Sequence, residues 1–156
     1  MIRLVTVTQE HRTLLWNLNQ KYLYEMTNYY DNEMDPEGNI HYGYFDAYFT
    51  DPERTALLIC DDQELVGFAM INPYSYFQER TDHLLAEFTI FPKYRRRRLA
   101  TAAAEKILEA YPGRWEIKYN EKNTAAKRLW NQIAAPYHPE RRSYSDEETV
   151  LVFSTR

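Results

Sequence analysis

The stretch HLLAEFTIFPKYRRRRLATAAAEKI, residues 83–107, constrains the fold more than any other part of the chain. Its first run is too short and too rich in β-formers for a helix, so it reads as a buried strand that Pro92 must end. Its last run predicts a helix over 98–111, with Leu99, Ala103, Ile107 and Tyr111 on one face and Pro112–Gly113 as the stop. A buried strand that feeds an amphipathic helix requires a sheet covered by helices. The junction carries Lys93 and Arg95 to Arg98, although the chain as a whole has a net charge of −4. At a helix N-terminus free N–H groups converge and the dipole favours negative charge, so a basic loop there suits a phosphate. On charge alone, a solvated basic turn is the alternative.

The rest of the chain continues the same alternation. IRLVTV at 2–7 reads as a strand, and Thr8 as the cap of a helix of about 20 residues with Leu15, Leu18, Tyr22, Met26 and Tyr29 on its stripe. Pro36 and Gly38 mark a turn, followed by a short helix around 43–50. ALLICDDQELVGFAMI predicts a hairpin turning at Asp61–Asp62, and 73–82 a polar loop. RWEIKY is a further strand, NTAAKRLWNQI a helix capped by Asn123, and the tail SYSDEETVLVFS one last strand. Strands separated by helices predict an α/β or α+β sheet.

Composition narrows the function. A chain of 156 residues suits one domain, and 44% hydrophobic with 27% charged residues is ordinary for a soluble protein. No apolar run approaches membrane-spanning length, and MIRLVTVTQE lacks a signal-peptide layout, so no membrane partner is expected. The single cysteine, Cys60, lies in the apolar run TALLIC and reads as a core residue in a reducing, cytoplasmic setting. Net acidity argues against nucleic acid as a partner. Histidines at 11, 41, 83 and 138 lack ligand spacing, so no metal is expected. Half of the 14 tyrosines fall within 22–48, and no Lys or Arg occurs between Lys21 and Arg54. That interval holds Glu25, Asp31, Glu33, Asp35, Glu37, Asp46, Asp51 and Glu53.

The basic loop resembles the acetyl-CoA signature of the GNAT acetyltransferase superfamily, R/Q-x-x-G-x-G/A between a central strand and a helix. Here it stands as Arg95-Arg96-Arg97-Arg98-Leu99-Ala100, preceded by Pro92 and Tyr94. Asn123, Ala126, Leu129 and Trp130 resemble the superfamily's next motif, N-x-x-A-x-x-L-aromatic. AEFTIF, YRRRRLATAAA, PGRWEI and NTAAKRLW are similar to a bacterial group of predicted GNAT acetyltransferases, with the resemblance good over 64–134. It implies one domain over 1–156, with a central mixed, mostly antiparallel sheet and helices on both faces. It also implies acetyl-CoA as cosubstrate, and admits a homodimer. The implied cofactor-binding residues are Phe88, Ile90, Arg95, Arg96, Arg97, Arg98, Leu99, Ala100, Thr101 and Asn123. One departure stands out: Arg98 replaces the first motif glycine, where a side chain either crowds a pyrophosphate or pairs with it.

Members of the superfamily transfer acetyl directly to an amine. The reaction needs a polarised carbonyl, a base for the amine and a proton for the thiolate. Backbone N–H groups near Phe88–Ile90 are the implied polarising donors. Glu87 is the candidate base, as the one ionisable residue in LLAEFTIF, where burial raises a carboxyl pKa. Simple alternation places it with Leu85 and Thr89, opposite Phe88 and Ile90. Many relatives carry a tyrosine acid where this chain has Trp130, whose indole cannot serve, so Tyr137 is the candidate acid and water the alternative. The acceptor is expected to be a small-molecule or peptide amine; the acidic, tyrosine-rich stretch opposite the loop either draws it as a cation or is a solvated surface whose tyrosines pack on the sheet. Two other readings stand beside this one: a coenzyme A-binding relative without catalysis, and a nucleic-acid module using the arginine run.

Overall fold

The computed structural model describes residues 1–156, arranged as a seven-stranded sheet with helices on both faces. Strand β1 (Ile2–Thr6) pairs antiparallel with β2 (Thr55–Asp61). Between them lie α1 (Arg12–Met26) and the one-turn α2 (Ala47–Thr50). Thr8 does not begin a continuous helix. Its N–H donates to His11 Nδ1 at 3.0 Å across a 3₁₀ turn, and α1 starts only beyond it.

Strand β3 (Glu64–Tyr74) pairs antiparallel with β2 and with β4 (Arg80–Ile90). Half of the residues expected to form a polar loop at 73–82 therefore belong to strand ends, leaving 75–79 as the turn. Polar strand termini carry no apolar alternation, which is why they read as loop. After β4 come α3 (Leu99–Ala110), β5 (Arg114–Asn120) and α4 (Thr124–Ala134). Asn123 caps α4 as expected, its side chain accepting from the Ala126 N–H at 3.2 Å. The tail forms two strands rather than one, β6 (Glu140–Ser145) and β7 (Glu148–Ser154), with β7 inserted between β5 and β6. Only β4 and β5 run parallel.

Two apolar clusters hold the layers. On one face Trp115, Ile117 and Leu85 meet Ala103, Ile107, Trp130 and Ile133 from α3 and α4. On the other, Phe68 and Met70 meet Leu15, Phe45 and Tyr48. Cys60 is buried and unpaired.

A bulge in β4 positions the site. Met70 pairs with Glu87 but Ile71 pairs with Leu85, so Ala86 is the extra residue. The bulge resets the alternation. Leu85 shares the α3–α4 cluster with Phe88 and Ile90, whereas Ala86 packs on the α1 side. The expected grouping of Leu85 with Glu87 and Thr89 is thereby corrected. One inserted residue rotates everything beyond it to the opposite face.

Candidate active site

The β4–β5 ladder ends early. His83, Leu84 and Leu85 pair with Trp115, Glu116 and Ile117, and beyond them the strands run on to Ile90 and Asn120 unpaired with each other. The sheet is open along this seam. Phe91 donates its N–H to Val66 O on β3 at 2.8 Å. By the two-residue period of a strand, the N–H groups of Phe88 and Ile90 then face away from β3, into the opening. A cleft of about 1310 Å³ fills this region and is lined by Glu87, Phe88, Thr89 and Ile90.

At one end the cleft meets the basic loop. Arg96 and Arg98 take the left-handed conformation, with φ 69° and 58°. Such a non-glycine backbone costs roughly 1 kcal/mol. Left-handed residues interspersed in a turn gather N–H groups into an anion-binding concavity. The first helical bond of α3 runs from the Ala102 N–H to Arg98 O at 3.2 Å. The N–H groups of Leu99, Ala100 and Thr101 thus precede the helical ladder and have no acceptor within it. Leu99, Ala100 and Asn123 line the cleft; Thr101 contributes only its place in the first turn.

The four arginines divide into two pairs. Arg96 and Arg98 line the cleft. Arg95, although it also borders the cleft, is saturated by protein acceptors: Glu25 takes both terminal nitrogens at 2.6 and 2.7 Å, and Ile90 O takes Nε at 2.8 Å. Its side chain ties the last turn of α1 to the loop. Arg97 lies 3.6 Å from Asp61 and over the Tyr94 ring, outside the cleft. Arg128 on α4 adds a cation to the lining that sequence reasoning missed. It lies five residues beyond Asn123, on a helix read only for its cap and aromatic.

Glu87 is half-buried, its carboxyl facing the cleft with the hydroxyls of Tyr22 and Tyr42 beside it. Burial pushes its pKa up to about 7, against the opposing influence of the Tyr42 hydroxyl, the Lys118 ammonium and the Tyr22 hydroxyl. The same burial, with the Glu87 charge second, holds the Tyr22 and Tyr42 hydroxyls protonated far above the usual range. Glu87 is therefore poised near neutrality, whereas its tyrosine neighbours are fixed donors.

Other expected contributors lie elsewhere. Tyr137 does not line the cleft; its ring stacks on Phe153 at 5.6 Å between centroids. The 3₁₀ turn after α4 carries it away from the opening. Trp130 packs edge-on against Phe88 at 4.9 Å and forms part of the cleft wall. The 22–53 stretch is split. Tyr22, Tyr29, Tyr30, Tyr42, Tyr44 and Tyr48 do line the cleft, but of its carboxylates only Glu25 does. Asp31, Glu33 and Asp35 are exposed outside it; Asp35 accepts the N–H groups of Glu37 and Asn39 in a local turn. Lys118, also missed, projects between Tyr76 and Tyr144 at 4.9 Å from each ring and pairs with Glu148 at 2.8 Å.

Comparison with known proteins agrees with this geometry. The family model described as the acetyltransferase (GNAT) family matches residues 15–135. An acetyltransferase from Thermus thermophilus is similar, with 19% identity, 99% of this chain and 97% of that chain covered, and a TM-score of 0.69. A spermidine N-acetyltransferase from Vibrio cholerae, solved with CoA and spermine, is 10% identical, with 98% and 95% covered and a TM-score of 0.68. An aminoglycoside acetyltransferase in complex with coenzyme A and kanamycin is also 10% identical, with 99% and 95% covered and a TM-score of 0.72. At these identities the likeness is one of fold. No curated protein matches the chain. The family model spans well over half of the 156 residues, across the open seam, the basic loop and α4, and the chain belongs to the GNAT acetyltransferase family.

Proposed function

We propose that this protein transfers acetyl from acetyl-CoA directly to the nitrogen of a small-molecule or peptide amine, with Glu87 as general base. The observation that carries the reading is Glu87 itself, a carboxyl with a pKa near 7 in the cleft that also reaches the basic loop. A base poised near the working pH combines a useful ionised fraction with useful basicity.

The residues present suit the cosubstrate. The loop N–H groups and the α3 N-terminus offer a diphosphate its donors, and Arg96, Arg98 and Arg128 supply positive charge. In this reading the N–H groups of Phe88 and Ile90 polarise the thioester carbonyl. The acceptor arrives as an ammonium ion, attracted by the faces of the tyrosines that line the cleft. Glu87 takes one proton from the ammonium, the neutral nitrogen attacks the carbonyl carbon, the C–S bond breaks, and a second proton leaves the acylated nitrogen. With Trp130 in the wall and Tyr137 outside the cleft, water carries that second proton to the thiolate. The likeness to structures bound to spermine and to kanamycin supports an amine acceptor.

The test is thiol release from acetyl-CoA across a panel of amines, with calorimetry for acetyl-CoA binding. Amine-dependent release with formation of the acetyl-amide supports the reading. Acetyl-CoA binding without amine-dependent release would instead establish the coenzyme A-binding reading.

A further inference from the structure

We propose that Arg54 binds a carboxylate on the acceptor, so that the amine acetylated beside Glu87 belongs to an amino-carboxylic acid. The inference rests on the transferase reading above and adds the class of acceptor to it.

The order of residues along the sheet places Arg54 on the acceptor side. Gly67 on β3 pairs with Ile90 near the basic loop, Met70 with Glu87, Asn72 with Leu84, and Tyr74 with Arg80 at the far end. Asn72 Nδ2 donates to Tyr48 Oη at 3.2 Å, and the Arg54 guanidinium lies over Tyr48, Tyr74 and Tyr44 at 5.5, 4.6 and 4.7 Å. All five of these residues line the same cleft as Glu87. Two to four residues along β3 separate Glu87 from this cluster, or roughly 7–13 Å at the strand rise. Allowing a hydrogen bond of about 3 Å at each end, a short amino acid spans the remainder.

Arg54 pairs with Asp51 through Nε alone, so its charge is held from one edge and the rest of the guanidinium is left for a further anion. Its side chain is only 12% exposed, yet Nε is buried without a hydrogen-bond partner. The nearest carboxylate oxygen, Asp51 Oδ2, is 3.3 Å from Nε. That oxygen accepts from Tyr74 Oη at 2.7 Å, and Oδ1 accepts the Glu53 N–H at 2.9 Å. The Tyr48 hydroxyl lies within hydrogen-bonding reach of the guanidinium and takes one of its N–H groups at most, which leaves most of the fork to a planar anion. Three tyrosine rings hold the guanidinium in place, so little freedom is lost when a planar anion docks. A held guanidinium with a largely free fork matches a carboxylate in bidentate geometry. A cation serving only to pin the 42–54 segment would not need to border the cleft. Lys118, the other cation on this side, is already paired with Glu148.

The test uses matched acceptors that differ only in the anion: β-alanine, 4-aminobutyrate, phenylalanine and lysine, each against its primary amide. In the wild-type protein at least one acid should exceed its amide by tenfold or more in kcat/KM. Arg54→Met should reduce that ratio to threefold or less by slowing the acid alone, with acetyl-CoA affinity unchanged. Arg54→Lys, which keeps the charge and the packing stem but loses the fork, should fall between them, with the effect in KM. Amides equal to or better than every acid in the wild type would overturn the proposal without any variant. Equal loss on acids and amides in both variants would also overturn it. If no amine is acetylated, the transferase reading fails by itself. Calorimetry of the same pairs with the coenzyme A complex then decides Arg54: acid-selective binding lost in Arg54→Met supports it, and no binding or no selectivity overturns it.

Discussion

Arg98→Gly separates two opposing consequences of placing an arginine where the family motif carries glycine. The backbone at Arg98 has φ 58° and ψ 19°, so glycine relieves roughly 1 kcal/mol of left-handed strain in the folded state. Glycine also gives the unfolded chain more freedom, worth about 0.5–1 kcal/mol in the other direction. The two nearly cancel, and unfolding in urea should change by less than about 0.5 kcal/mol. Binding should respond differently. Arg98 lines the cleft beside the loop N–H groups, and its side chain is exposed. A charge-assisted contact to phosphate is worth about 1.5–3 kcal/mol, reduced by solvent at an exposed position to about 1–2 kcal/mol. Arg98→Gly should therefore weaken acetyl-CoA by about 5- to 30-fold in calorimetry. Because the contact is exposed, the loss should shrink as salt is raised. Tighter binding in the glycine variant would refute this account and show that the side chain crowds the loop. Unchanged binding would show that it points to solvent.

Two further outcomes follow from groups in and beside the cleft. Glu25→Gln should lower stability by about 1–2 kcal/mol, Arg95→Ala by somewhat more because it also removes the donor to Ile90 O, and the double variant by little more than Arg95→Ala alone, because both remove one bidentate contact; additive losses in urea unfolding would deny the coupling. Glu87, with a pKa raised from 4.5 to about 7, keeps its proton in the folded state over a range where the unfolded chain has released it. Its contribution is thus present below about pH 4.5 and lost as pH rises through 7, a change of up to about 3 kcal/mol that Glu87→Gln should abolish. Parallel stability–pH curves for the two proteins would contradict that.

The parts of this molecule that depend on neighbours in sequence were legible from sequence, and those that depend on strand pairing were not. Pro92, the arginine run and the small residues of α3 specify a strand end, a loop and a helix start within a few residues. Asn123 announces its helix in the same local way. Glu87 was identifiable because one carboxylate in an apolar run has few ways to be accommodated. Its neighbours were misassigned because the bulge at Ala86 appears only in the register with β3. Strand β6, ERRSYS, lies at the sheet edge with little apolar alternation, so it left no signal. Lys118 and Asn120 do alternate with apolar residues along β5, and that pattern is the signal that could have found the polar side of the cleft. Arg54 carried no local mark at all; the rings that hold it come from Tyr44, Tyr48 and Tyr74. Of the two readings of the acidic stretch, residues 31–35 follow the solvated one: Asp35 satisfies its own turn, and the tyrosines of the segment line the cleft instead.

The pH dependence of kcat/KM for amine acetylation, measured side by side for the wild type and Glu87→Gln, tests the central claim most directly. The wild-type profile should rise with an inflection near 7 that does not move with the acceptor's own amine pKa, because it belongs to Glu87. In Glu87→Gln that inflection should vanish, with turnover reduced by about 10²-fold or more and acetyl-CoA affinity unchanged. A variant that keeps wild-type turnover and the inflection near 7 would remove Glu87 from the chemistry.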